Sequence, residues 1–190
     1  MSTPDRRQAI LDAALASFVA RGYLATSISD IRAASGASTG SIYHFFAGKG
    51  ALAEALLREA VAGWSAEVQR ALGGSTTAEA SVKAAAGGLL RWGMANPGHL
   101  RFMDEIRTLA ATGTELASVE AMLAEGQALG ERQYRTWVAA GEVRPLPWPV
   151  AHSLMLGPAY NYMRLASRSA KPSHEAPALL AEAAWQAVKT

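Results

Sequence analysis

The sequence predicts an all-α fold of about nine helices, and three observations carry that prediction. Large apolar residues recur at three- and four-residue intervals through most of the chain, as in Leu52, Leu56, Ala60, Trp64, Val68 and Leu72. No stretch alternates apolar and polar residues with the period of two that a strand requires. Glycine and proline fall between the periodic stretches, where helices stop and start, as at Gly22, Gly36, Gly73, Pro97 and Gly141. Half of the 190 residues are hydrophobic and the mean hydropathy is +0.06, which is ample for a real core.

Each helix has its own local warrant. Thr3-Pro4 opens the first as N-cap and N1 proline. Ile10, Leu11, Ala14, Leu15, Phe18 and Val19 give it an apolar stripe, and Gly22 ends it. Ser27 and Asp30 have the spacing of a capping box for the second, which carries Ile28, Ile31 and Ala34 and stops at Gly36. Ser38 is the cap of a third, short helix over TGSIYHFF. The fourth runs from Lys49 to about Leu72, a rod of roughly 35 Å at 1.5 Å per residue. A fifty-residue domain cannot bury so long a face, so its far half is expected in a second helical body. Thr76-x-x-Glu79 is expected to cap a helix to about Ala95, and Pro97 to begin one through Leu109. Thr112-Gly113-Thr114 leads into a helix closed by Gly141. A proline-rich loop (Pro145, Pro147, Pro149) precedes a helix from Trp148 to Ser167 with an expected kink at Pro158. Lys171-Pro172-Ser173 starts the last helix, which ends near Val188. The expected organisation is residues 1–48 as one domain, 49–72 as a connecting helix and 73–190 as a second domain.

The second and third helices, joined by a turn with a glycine, form a helix-turn-helix. The third has an unusual composition. Thr39, Gly40 and Ser41 are small and polar, whereas Ile42, Phe45 and Phe46 are large and apolar. Short hydroxyl side chains and a bare glycine suit a helix whose first turn approaches base edges in a DNA groove. Tyr43 and His44 are placed to reach the DNA backbone from the next turn. The plain alternative is an ordinary helical hairpin with a hydrophobic second helix.

The stretch from Gly36 to Lys49, GASTGSIYHFFAGK, preceded by RGYLATSISDI from Arg21 to Ile31, resembles the DNA-binding domain of TetR-type repressors. The resemblance covers roughly residues 5–60. It implies that Thr26 touches phosphate, that Ser38, Thr39, Gly40 and Ser41 form the groove-facing turn, and that Tyr43 and Lys49 contact phosphate. Two positions depart from the family pattern. Phe45 stands where the family often has histidine, so any contact from that residue is lost or passes to His44, and Gly50 stands where an acidic residue commonly follows the lysine. The resemblance also implies a repressor released by ligand rather than an activator.

The charge distribution is in keeping with this. Residues 1–50 hold five cations (Arg6, Arg7, Arg21, Arg32, Lys49) against three anions, while the remainder is balanced, so the net +2 lies wholly in the first quarter. There is no run of eighteen apolar residues and no signal-like N-terminus, so neither a membrane span nor export is expected, and the expected location is cytoplasmic. The chain has no cysteine, which excludes disulfides, thiolate metal sites and cysteine nucleophiles. Four scattered histidines show no metal-ligand spacing, and no phosphate-binding or nucleophile motif is present, so no cofactor, metal or catalytic residue is expected.

In the second domain, Met and aromatic residues at helical spacing are either core or the walls of a pocket. Their kind suits a pocket for a small, mostly apolar effector, with Trp92, Phe102, Met103, Trp137, Met155 and Tyr160 as the expected lining. Gly87-Gly88 and Gly126/Gly130 signify either close helix packing or room for a ligand. A homodimer through the last two helices would present two recognition helices to a palindromic operator. The competing reading is an all-α carrier protein or enzyme that binds no DNA.

Overall fold

The computed structural model describes residues 3–111, 114–166 and 173–190. Among them are nine α-helices: α1 (Thr3–Arg21), α2 (Ile28–Ser35), α3 (Thr39–Phe45), α4 (Lys49–Leu72), α5 (Ala78–Ala95), α6 (Pro97–Ala110), α7 (Ala117–Ala139), α8 (Trp148–Ala166) and α9 (Ala176–Val188). A 3-10 turn, Thr114–Leu116, precedes α7. No strand is present among the described residues; a single antiparallel bridge pairs Val143 with Lys189.

Most boundaries fall where local chemistry puts them, with two shifts. The cap of α5 is Thr77 rather than Thr76: its backbone is extended and its hydroxyl accepts from the Ala80 N–H. Helix α9 begins at Ala176 rather than Ser173, because Ser173–Glu175 forms a turn whose Ser173 N–H donates to the Tyr162 hydroxyl. α8 continues through Pro158, and Pro158 is exposed. The expected helix end at Ser167, the Lys171-Pro172 start and the Thr112-Gly113 step lie outside the described residues.

The chain divides into two compact units. The first comprises residues 1–61 and 98–125. Its core is the α1 stripe of Ile10, Leu11, Ala14 and Phe18, with Ile31, Ile42, Leu52, Leu56 and Leu57, all essentially inaccessible to solvent. Helix α6 belongs here too: Phe102 stacks on Phe18 with ring centroids 5.7 Å apart. The second unit comprises residues 62–97 and 126–190, with α5, α8 and α9 packed together. α4 thus supplies its first thirteen residues to one unit and the remaining eleven to the other, and α7 is likewise divided after Glu125.

In the second unit three of the four glycines that were ambiguous in sequence, Gly87, Gly88 and Gly130, are sites of close packing. A Cβ at Gly88 would lie 3.3 Å from the Val68 backbone nitrogen, and one at Gly130 would lie 2.7 Å from the Trp148 ring. A Cβ at Gly126 would meet nothing within 4 Å.

Candidate nucleic-acid interface

Two short helices would not be stable alone, and side-chain caps hold these, reciprocal in α2 and one-way in α3. Ser27 accepts from the Asp30 N–H at 3.1 Å, while the Asp30 carboxylate accepts from the Ser27 N–H at 2.9 Å and the Ser27 hydroxyl at 2.6 Å. Arg21 pairs with the other carboxylate oxygen at 2.6 Å. These donors, the Ser27 hydroxyl foremost, hold the Asp30 carboxyl down from 3.8 to about 2. Gly36 takes the left-handed conformation that closes α2, with φ +65°. Ser38 then caps α3, accepting from the Ser41 N–H at 3.1 Å.

The result is a two-faced α3. Ile42 and the following Phe46 are buried, while Ser38, Thr39, Gly40, Tyr43 and His44 are exposed and Ser41 is half-buried. The space around Gly40 is open, with nothing within 4 Å of where a Cβ would stand. His44 rests edge-on against Phe45, centroids 4.9 Å apart, and Arg7 lies 5.2 Å from the Phe46 ring. This surface carries hydroxyls, a phenol and an imidazole on a rigid support, and its first turn is free of bulk.

Thr26 and Lys49 sit differently from the exposed set. Thr26 is buried, and its hydroxyl is placed to donate to the Gly22 carbonyl at 2.8 Å or to that of Ser17 at 3.2 Å. Its N–H is directed at the Tyr23 carbonyl. Thr26 therefore locks the turn between α1 and α2, and in this geometry it has no side-chain group facing outward for phosphate. Lys49 is half-buried; its ammonium donates to the Tyr23 carbonyl at 3.1 Å and lies 4.3 Å from the Tyr23 ring centroid. Gly50 also finds its reason here. A Cβ at that position would come within 2.8 Å of the Glu115 carbonyl oxygen, which leaves no room for an acidic side chain.

Residues 10–56 match the family model for bacterial regulatory proteins of the tetR family. That span holds most of α1, all of α2 and α3, and the start of α4. Those residues carry the DNA-binding domain of that family. The chain is a DNA-binding transcriptional regulator, and the helix-turn-helix just described is its DNA-binding element. Solved structures extend the likeness to the whole chain. A TetR family transcription regulator from Marinobacter aquaeolei VT8 superposes with a TM-score of 0.81 at 21% identity, covering 100% of this chain and 99% of its own. The fatty acid degradation regulator FadR from Bacillus halodurans gives 0.76 at 17% identity, over 94% and 97%. The ketosteroid transcriptional regulator of Mycobacterium tuberculosis gives 0.65 at 19% identity, over 97% and 95%. No curated protein sequence matches the chain.

The six residues expected to line an effector pocket do not fall in one unit. Phe102 and Met103 lie in the first, where Phe102 is spent on Phe18. Trp92, Trp137, Met155 and Tyr160 lie in the second. Trp92 is nearly buried and packs so closely on α4 that a Cβ at Gly63 would be 2.2 Å from its Nε1. Trp137 stands edge-on to Tyr134 at 6.4 Å. Two hollows in the second unit involve none of the six. An open groove of about 930 Å³ lies along Ala71, Ala84, Met94, Pro177 and Ala181, rimmed by Lys83, Arg91 and Glu182. A smaller one of about 400 Å³ lies between Tyr134, Val138, Pro145 and Trp148. Among the described residues, no group of three or more His, Cys, Asp or Glu is placed to hold a metal ion, and no helix is long and apolar enough to cross a membrane.

The sequence pattern did not reveal Tyr23, Glu105 and Glu115. The Tyr23 N–H donates to Glu105 Oε1 at 2.8 Å and its hydroxyl to Glu115 Oε1 at 3.1 Å. Burial, with the Glu115 charge adding, pushes the Tyr23 hydroxyl well above its usual range. The two carboxylates lie 82 and 92 residues downstream, so no local signal could have announced them.

Proposed function

We propose that this regulator is a cytoplasmic repressor that binds a palindromic operator as a homodimer and is released by a small, mostly apolar effector. The observation that carries the DNA half is the exposed, sterically open first turn of α3 on a buried Ile42–Phe46 support. Thr39, Gly40 and Ser41 meet base edges, while Ser38, Tyr43, His44 and Lys49 contact the backbone. Functionally, residues 1–48 read DNA, 49–72 connect, and 73–190 sense and dimerise, even though α6 packs with the first unit.

Dimerisation runs through α8 and α9. Val150, Leu165 and Leu179 are exposed apolar residues on these two helices, at 45, 57 and 63%. Two recognition helices are needed because one reads only a few base pairs, and half-sites lie about 34–36 Å apart. Light scattering on a Leu179→Glu/Leu165→Glu protein tests this: a dimer persisting at micromolar concentration refutes the interface.

For the effector, the apolar and polar-tipped residues of the second unit, Trp92, Trp137, Met155 and Tyr160, are the proposed lining. The names of two proteins with this fold, a fatty acid degradation regulator and a ketosteroid regulator, are in keeping with an apolar ligand. α4 is the proposed lever, since one continuous helix of 24 residues belongs to both units. A tilt of a few degrees moves the end of a rod of roughly 35 Å by a couple of ångströms. A coupling of about 1–3 kcal/mol would weaken DNA binding roughly 5–150-fold. Titration of fatty acids and steroids, followed by tryptophan fluorescence and by duplex binding, tests it. A ligand that binds tightly and leaves duplex affinity unchanged refutes release.

A further inference from the structure

Tyr23 sits between the DNA-binding helices and the elements that return from later in the chain. It is 1% exposed, yet its polar groups are engaged by three different elements. Glu105 of α6 takes its N–H, Glu115 of the 3-10 turn takes its hydroxyl, and Lys49 at the start of α4 donates to its carbonyl while lying over its ring. The fit is close on both sides. A Cβ at Gly22 would stand 3.0 Å from Glu105 Oε1, and one at Gly50 2.8 Å from the Glu115 carbonyl oxygen. Hydrogen bonds to carboxylates are about twice as strong as neutral ones, so the two glutamates fix this residue firmly.

What this does for Lys49 follows from the chemistry of an ammonium. Lysine is a point charge on a flexible four-carbon stem, and ordering it on DNA costs rotamer freedom. Here that order exists beforehand. The ammonium has three donors. The Tyr23 carbonyl takes one, which leaves others for a phosphate. We infer that Tyr23, held by Glu105 and Glu115, is a positioning residue for DNA binding that presets the Lys49 ammonium toward a backbone phosphate. This rests on the reading of Lys49 as a phosphate contact.

The test uses the full-length protein and a mixed-sequence duplex, with binding followed by fluorescence anisotropy over a salt series. Each phosphate neutralised adds about −0.9 to the slope of log K against log salt. Lys49→Ala flattens the slope by about that amount. Glu105→Ala flattens it in the same direction and weakens binding by roughly tenfold or less, while Glu105→Gln, whose amide oxygen still accepts the Tyr23 N–H, restores most of it. The double variant Glu105→Ala/Lys49→Ala is no worse than Lys49→Ala alone. Tyr23→Phe keeps the buried ring and loses only the bond to Glu115, so it carries the test should Glu105→Ala unfold; it too flattens the slope. A merely structural staple lowers the melting temperature and leaves the slope alone. If Lys49→Ala flattens the slope while Glu105→Ala and Tyr23→Phe leave it at the wild-type value, the inference is overturned and the phosphate contact stands. If Lys49→Ala itself leaves the slope unchanged, the contact falls and the inference with it.

Discussion

The helix-turn-helix and the second unit solve the same problem, holding helices together, by different means. In the first, α2 and α3 have eight and seven residues and are fixed by caps at Ser27, Asp30, Gly36 and Ser38. In the second, α5, α8 and α9 have 18, 19 and 13 residues and pack together, with Gly87 of α5 set against Pro177 and Ala181 of α9. Caps are local, so a sequence announces them within four residues. Close approach is non-local, because the partner of a small residue lies wherever the chain returns. The exposed surface of α3 is therefore preset by short-range chemistry, through caps that lie within its own few residues.

The sharpest way to break this contrast concerns α6, which lies late in the chain and packs in the first unit. Phe102→Ala removes a buried ring stacked on Phe18 and is expected to cost about 3–5 kcal/mol in denaturant unfolding. Leu129→Ala, on an exposed face, is expected to change stability by less than about 0.5 kcal/mol. Equal effects would show that α6 is not part of the first unit's core.

A smaller effect sharpens the role of the caps. The Asp30 carboxyl is depressed in the folded protein, so its stabilising contribution is present above the ordinary carboxylate range and fades as pH falls toward about 2. Asp30→Asn should lower the melting temperature at pH 6, and the gap should close between about pH 4 and pH 2. A gap that persists unchanged at the lowest pH would mean that the capping box and the Arg21 pair do not depend on the charge.

Legibility followed the same division. The caps at Ser27 and Ser38, the stop at Gly36 and the full length of α4 were readable because each depends on neighbours within a turn. The helix start at Thr77 rather than Thr76 slipped by one residue because both threonines offer a hydroxyl, and only backbone direction chooses between them. Thr26 was singled out only by the family resemblance, as a phosphate contact, and nothing local reported that its hydroxyl turns inward to Gly22 and Ser17. Phe102 and Met103 were read as pocket residues on their kind, an aromatic and a methionine, while their helical spacing suited core equally. Nothing in their vicinity reports that the ring facing Phe102 is Phe18, 84 positions earlier. Gly50 read as a missing charge, and only the returning Glu115 carbonyl explains it.

The central claim is that the open first turn of α3 reads DNA, and Gly40 tests it most directly. A duplex selected from randomised sequences by the wild-type protein serves as the probe, with anisotropy measured at one fixed salt concentration. Gly40→Trp fills a space that is empty in the free protein, so folding and melting temperature are expected to stay near wild type. Affinity for the selected duplex is expected to fall roughly a hundredfold or more, as base contacts of about 1–3 kcal/mol are lost. A Gly40→Trp protein that binds the selected duplex as tightly as wild type would contradict the assignment of α3 as the recognition helix.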